Sequence, residues 1–322
     1  MALKRFVGSG PIEGAAGAGS ADALRDPAGY RAGSDTANAV NVALALSMPL
    51  LVTGEPGTGK TQLAYRIAAE LGLGAVLRFD TKSSSVASEL FYQFDNVRQF
   101  AQSQLHAAAG RELPASREFL RLSAMGEAIV RTLPPAEAAA QLGPLVRHAA
   151  PLRSLVLIDE IDKAPRDFPN DLLNQIENLE FAVPELGCSF RAATALAPVV
   201  VISSNSEKQL PEPFLRRCVY HHIEFPQDPA ELEAILGARL ARLELGSSTR
   251  SEALKLFFAF RENQALAKRP STSELLDWLR ALSALGLDNS RTLAEQRPLL
   301  EQALGSLFKT HDDLAVGRTL LP

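Results

Sequence analysis

Eight consecutive residues constrain this chain more than any others: Gly54-Glu55-Pro56-Gly57-Thr58-Gly59-Lys60-Thr61. They fit the spacing G-x-x-x-x-G-K-[ST], and both flanks agree with it. The apolar run Leu50-Leu51-Val52-Thr53 precedes them, as a buried parallel strand would. After them Leu63, Ile67 and Leu71 recur every fourth residue beside Ala64 and Ala68, and Gly72 stops the pattern, which predicts a helix. A strand, a glycine-rich turn and a helix in that order make a cradle for polyphosphate. Backbone N–H groups must point inward at close range, and glycines permit the curled backbone and leave room for phosphate oxygens. The helix start adds the positive end of its dipole. Lys60 then places a point charge on the β- and γ-phosphates of a nucleoside triphosphate, and the Thr61 hydroxyl is a ligand for Mg²⁺.

Such a site needs an acidic half on a neighbouring strand. Leu155-Val156-Leu157-Ile158-Asp159-Glu160 supplies four apolar residues and then two carboxylates at the strand's C-terminal end, the end where open α/β sheets bind ligands. Asp159 is the expected Mg²⁺ residue, acting through the ion's water shell. Glu160 is the expected residue that orients and polarises the attacking water.

The rest of the chain fits this frame. Further strand candidates at 76–79, 155–158 and 199–202 alternate with helical patterns, and His221-His222-Ile223-Glu224-Phe225 alternates as an edge strand would. This predicts an α/β layer around a parallel sheet. After Pro226 the strand signals stop. Leu232, Ile235, Leu236, Leu240 and Leu243 form one helical stripe, and 251–260 and 275–285 repeat the pattern. Ser271 followed by Glu274 has capping-box spacing before the last of these. The expected organisation is a flexible leader over 1–29, an α/β core over 30–226 and a helical domain over 227–322. An irregular, Ala-rich helical insertion is expected around 102–150.

The chain has 322 residues, 46% hydrophobic and 22% charged, enough for a substantial core and against wholesale disorder. Its formal charge of -4 argues against a general nucleic-acid binder. No apolar stretch has the length of a membrane span. The 2 cysteines exclude a disulfide scaffold and point to a reducing, cytoplasmic location.

With these motifs in place, the sequence resembles the AAA+ ATPases, and within them the MoxR-like group, from about Tyr30 to Trp278. Beyond the phosphate loop the resemblance is carried by Leu157-Ile158-Asp159-Glu160-Ile161-Asp162-Lys163-Ala164-Pro165, by Phe168-Pro169-Asn170-Asp171-Leu172-Leu173 and by Leu210-Pro211-Glu212-Pro213-Phe214-Leu215-Arg216-Arg217-Cys218. The resemblance implies a five-stranded parallel sheet flanked by helices with a smaller all-α lid domain. It also implies ATP and Mg²⁺ as cofactors, with ATP hydrolysis by a homo-oligomeric ring, commonly a hexamer. Asn205 then resembles the sensor 1 residue that contacts the γ-phosphate or the lytic water; as a plain sequence feature it lies in the turn-rich run 203–206. Arg217 aligns with the arginine finger that reaches a neighbour's nucleotide, and Arg216 is either a solvated neighbour or a partner for an interface carboxylate. A sensor 2 arginine is expected inside the first turn of a lid helix. Here the sequence departs from the pattern, and Arg269, before the Ser271 cap, is the candidate. MoxR-like proteins commonly act as remodelling chaperones with a partner bearing a von Willebrand factor A domain, and this sequence carries no such domain itself. Two rival readings are a nucleotide-dependent scaffold that hydrolyses little and a DNA-directed motor or loader. The absence of an Asn-Lys-x-Asp signature speaks against GTP.

Other features are expected to be structural. His221 and His222 face opposite sides of a strand and cannot chelate one metal together. Cys188 and Cys218 lack zinc spacing. The aromatic run Leu90-Phe91-Tyr92-Gln93-Phe94-Asp95 suits either a core or a pore surface. Residues 181–192 read as a β-hairpin around Gly187, and Trp278 reads as lid core.

Overall fold

A computed structural model describes residues 4–9, 27–205, 210–241, 243 and 245–322. Most of the expected leader, and Ser206 of the turn-rich run, lie outside them. The chain forms two compact units, one including residues 32–53 and 61–222, the other including 54–60 and 223–322.

Apart from the terminal residues Gly54, Lys60 and Ile223, which fall in the second unit, the first unit is built from α1 (Ser34–Leu46), β1 (Leu50–Gly54), α2 (Lys60–Leu71), β2 (Leu77–Asp80), β3 (Tyr92–Phe94), α3 (Asn96–Ala108), β4 (Leu120–Leu122), α4 (Ala124–Arg131), α5 (Pro135–Leu142), β5 (Leu155–Asp159), α6 (Phe168–Asn178), β6 (Glu180–Val183), β7 (Cys188–Arg191), β8 (Val199–Ser203), α7 (Glu212–Leu215) and β9 (Val219–Ile223). Its five-stranded parallel sheet has the order β2-β5-β8-β1-β9. The three central strands, β5, β8 and β1, are buried along their whole length, while the edge strands β2 and β9 alternate. This is why the central strands read as unbroken apolar runs and the last strand as an alternation. The last strand begins at Val219 rather than His221, because the Val219 N–H reaches the Pro49 carbonyl at 2.8 Å. Phe225 lies beyond the strand, in the core of the second unit.

The region around 102–150 contains more than helices. Strand β4 pairs antiparallel with β3, and α4 buries Met125, Ala128 and Ile129 completely. Leu90 and Phe91 belong to the same core, where Phe91 packs on Phe181 with ring centroids 5.5 Å apart. β6 and β7 form an antiparallel pair closed at Gly187. Of the N-terminal stretch, Phe6 is buried, and Asn41 binds both its N–H and its carbonyl. The Val7 and Gly8 N–H groups donate to the buried Glu70 carboxylate.

The second unit contains α8 (Pro229–Arg239), α9 (Ser247–Glu262), α10 (Thr272–Ala284), α11 (Arg297–Leu307) and α12 (His311–Leu320). Leu232, Leu236, Phe257, Phe260, Trp278, Leu279, Leu300 and Leu304 form its core. Phe260 meets Trp278 and Phe308 edge-on, at 6.4 and 5.2 Å. The Ser271–Glu274 capping box closes reciprocally at the start of α10: the Ser271 N–H donates to Glu274 at 2.7 Å, and the Ser271 hydroxyl accepts from the Glu274 N–H. Among the described residues no helix is long and apolar enough to cross a membrane.

Candidate functional site

Within the first unit, Thr61 lies in the first turn of α2 and Asp159 ends β5. The Thr61 hydroxyl donates to the Asp159 carboxylate, 3.1 and 3.2 Å from its two oxygens. Asp159 is 4% exposed, so its charge requires compensation. Arg78 on β2 supplies a cation at 2.9 Å and pairs with Asp80 at 2.6 Å. Burial opposes the charge on Arg78, yet the pull of Asp159 and Asp80 leaves its pKa above the ordinary value. Ser203, the last residue of β8, donates its hydroxyl to Asp159. These contacts follow from register. Asp80 pairs directly with Asp159 across β2 and β5, and Ile158 with Ile202 across β5 and β8.

Glu160 follows in a left-handed backbone conformation, φ 57° and ψ 51°. Its N–H donates to the Ser203 hydroxyl at 2.9 Å, and its half-exposed carboxylate pairs with Lys163. The hydrogen bond and charge of Glu160 raise the Lys163 pKa. Asn205 is held through its N–H, which donates to Asp162 at 3.0 Å, and the Ser204 hydroxyl reaches the same carboxylate oxygen at 3.2 Å. Asp162 therefore ties the end of β8 to the turn after the acid pair.

Arg217 and Arg216 follow α7. Arg217 pairs with Glu177 of α6 at 2.7 Å, both side chains about half exposed. Arg216 pairs with Glu212 further out in solvent. Beside Arg217 lies a cavity of about 330 Å³, lined chiefly by apolar residues such as Leu44, Pro49, Ile176, Val200 and Phe214.

The phosphate loop, Gly54 to Lys60, belongs to the second unit. Lys60 is 7% exposed, and its ammonium donates to the Gly54 and Glu55 carbonyls at 2.9 Å each. Thr58 closes the loop, its hydroxyl on the Glu55 carbonyl at 2.8 Å. Gly57 and Gly59 carry φ of +80° and +95°. A Cβ at Gly57 would fall 2.4 Å from the Ser271 hydroxyl, and one at Gly59 would fall 2.9 Å from the Tyr30 ring, so both positions require glycine. The Ser273 hydroxyl donates to the Gly57 carbonyl at 3.1 Å. Arg261, at the end of α9, pairs with the Glu55 carboxylate at 3.1 Å, donates to the Pro270 carbonyl and stacks 3.4 Å over the Phe225 ring. Arg269, the residue picked from the family pattern, is exposed.

Sequence reasoning missed Arg78, Asp162, Ser203 and Arg261. Ser203, adjoining the Asn205 turn, was the one a local signal could have suggested. His221 and His222 bind different threonines, Thr36 and Thr53, each at 2.9 Å. Burial pushes the Cys218 thiol up to about 12 and raises Cys188 as well, so neither is poised as a thiolate. Among the described residues no three His, Cys, Asp or Glu side chains gather to hold a metal. The Thr61 hydroxyl and Asp159 carboxylate fit Mg²⁺ instead. That ion takes hard oxygen donors and characteristically uses one or two protein groups together with substrate phosphates and water.

The sequence profile described as "ATPase family associated with various cellular activities (AAA)" matches residues 50–227. Comparison with functionally curated proteins finds no match. Similar solved structures include the FIGL-1 AAA domain in complex with ADP. It has 16% identity and a TM-score of 0.43, with 98% of this chain and 89% of that one covered. They also include the Thermotoga maritima RuvB Holliday junction branch migration motor. That match has 14% identity and a TM-score of 0.42, with 89% and 69% covered. The profile spans more than half of the chain and both nucleotide motifs, and on that ground the chain belongs to the AAA family of ATPases.

Proposed function

We propose that this protein binds ATP with Mg²⁺ and hydrolyses it as a subunit of a MoxR-like ring that remodels a partner protein. The observation that supports this best is the buried carboxylate of Asp159, bonded to the Thr61 hydroxyl and followed directly by Glu160 in a fixed left-handed turn. In this reading the Gly54–Lys60 loop binds the phosphates through backbone N–H groups, and Lys60 turns its ammonium from loop carbonyls to phosphate oxygens. Thr61 and Asp159 hold Mg²⁺, which when bound offsets charge on the phosphates. Glu160 orients the attacking water and accepts its proton at a carboxylate oxygen, a task that requires releasing Lys163. Asn205 positions the same water or the γ-phosphate, with its backbone pinned by Asp162.

Arg217 acts on the nucleotide of the next subunit. Its pair with Glu177 is half exposed, a class of ion pair worth about 0–1 kcal/mol, so it is easily exchanged for a phosphate. Arg216 is the lesser contributor. Arg269 is retained from the family pattern as a nucleotide-facing residue, and Arg261 as the helical-unit arginine that answers to the loop. A hexameric ring and a partner carrying a von Willebrand factor A domain are inferred from the MoxR-like motifs, and a cytoplasmic location from the low cysteine count.

The test compares two variants in nucleotide titrations and phosphate-release assays. Lys60→Ala should lose ATP affinity. Glu160→Gln should keep that affinity and lose turnover. Parental turnover in Glu160→Gln would remove the hydrolytic reading of the acid pair.

A further inference from the structure

We propose that Ser203 is a positioning residue that sets the backbone, and thereby the aim, of Glu160. The inference rests on reading Glu160 as the water-polarising group and adds what holds it in place.

The Ser203 side chain is buried between two neighbours of opposite hydrogen-bonding character. Its hydroxyl donates to the Asp159 carboxylate, which can only accept, and accepts from the Glu160 N–H, which can only donate. A small hydroxyl satisfies both at once. Alanine satisfies neither, and an amide side chain needs more room than a residue 1% exposed in a packed strand offers. The parallel register sets this geometry, since pairing Ile158 with Ile202 places Ser203 level with Asp159.

The bond to Glu160 carries the consequence. A non-glycine residue at φ 57° and ψ 51° occupies a sparsely populated region and persists only where its surroundings impose it. Two hydrogen bonds impose it here. The Glu160 N–H goes to Ser203 at 2.9 Å, and the Glu160 carbonyl accepts from the Lys163 N–H at 2.9 Å. Without the first, Glu160 is free to relax toward ordinary backbone, which swings its Cα–Cβ bond and carboxylate away. Asp159 keeps Thr61 and Arg78 in that event. Loss of the Ser203 hydroxyl should therefore spare binding and damage turnover.

Ser203→Ala should lower kcat by about 10²-fold, the scale of an ångström-size misplacement. The Kd for a fluorescent ATP analogue should stay within about threefold of the parent, in Mg²⁺ and in EDTA alike, because only a transition-state role is lost. Ser203→Thr restores a hydroxyl and should recover most of the turnover. In a Glu160→Gln background, Ser203→Ala should cause no further loss of turnover, since two residues acting through one group are not additive. Parental kcat in Ser203→Ala overturns the proposal. So does loss of analogue binding in Ser203→Ala, or the same fold-loss repeated in the Glu160→Gln background. Normal turnover in Glu160→Gln alone is a separate result and sinks the hydrolytic reading itself.

Discussion

Arg261→Met is the substitution whose cost can be worked most fully from the structure. Methionine keeps the unbranched stem and removes the guanidinium, which is buried among Glu55, Pro270 and Phe225. The buried Pro270 carbonyl loses its partner, at a cost of about 1–3 kcal/mol. Stacking over Phe225 contributes about 0.5–2 kcal/mol. The pair with half-exposed Glu55 adds only about 0–1 kcal/mol, because water screens that side. The terms share one guanidinium and do not add fully, so the expected loss is about 2–4 kcal/mol. Trp278 is the chain's one tryptophan and is fully buried in α10, so its fluorescence reports unfolding of the helical unit. With a urea slope of about 1–2 kcal/mol/M for a unit of this size, the midpoint should fall by roughly 1–4 M. Glu55→Gln should move it far less. A midpoint for Arg261→Met within about 0.3 M of the parent would show that Arg261 does not hold this region together, and the slope sets that limit.

Two further outcomes follow from other parts of the molecule. Arg217→Ala and Lys60→Ala, each inactive alone, should recover ATPase activity when mixed in one ring, because some interfaces pair an intact loop with an intact arginine; no recovery after verified subunit exchange would place Arg217 in its own subunit's site or in a structural role. Burial lowers the His221 pKa below its ordinary value of 6.5, with Asp35 opposing and His222 assisting. The unfolded chain then takes up the proton first, so this stabilisation is complete above about pH 6.5 and is lost as pH falls through the folded value. Thermal melts from pH 7 to pH 5 should show a shallower decline for His221→Gln than for the parent, and equal declines would refute the assignment.

The phosphate loop, the acid pair, the buried strands and the Ser271 cap were legible in the chain because each is local. A loop that curls around phosphate announces itself by its glycines, and a strand buried on both faces by an unbroken apolar run. The capping box needs only residues three apart. Local signals also marked 181–192 as a hairpin. They gave no account of β4, whose three residues exist as a strand only because β3 lies beside them. Helices α11 and α12 lay past the last pattern recognised.

What the sequence could not contain is partnership. Asp159 and Ser203 are 44 positions apart, Asn205 and Asp162 43, and Arg261 and Glu55 206. Each is an ordinary polar residue until strand register or helix packing brings its partner within 3 Å or so. Arg269 was the arginine the family pattern favoured, yet it is exposed, while Arg261 is buried over Phe225. Composition and spacing determined that this chain makes a parallel sheet with a phosphate loop and an acidic strand end. Only tertiary structure decided which side chains neutralise, aim and restrain those acids, because hydrogen bonds and ion pairs depend on distances that periodicity does not encode.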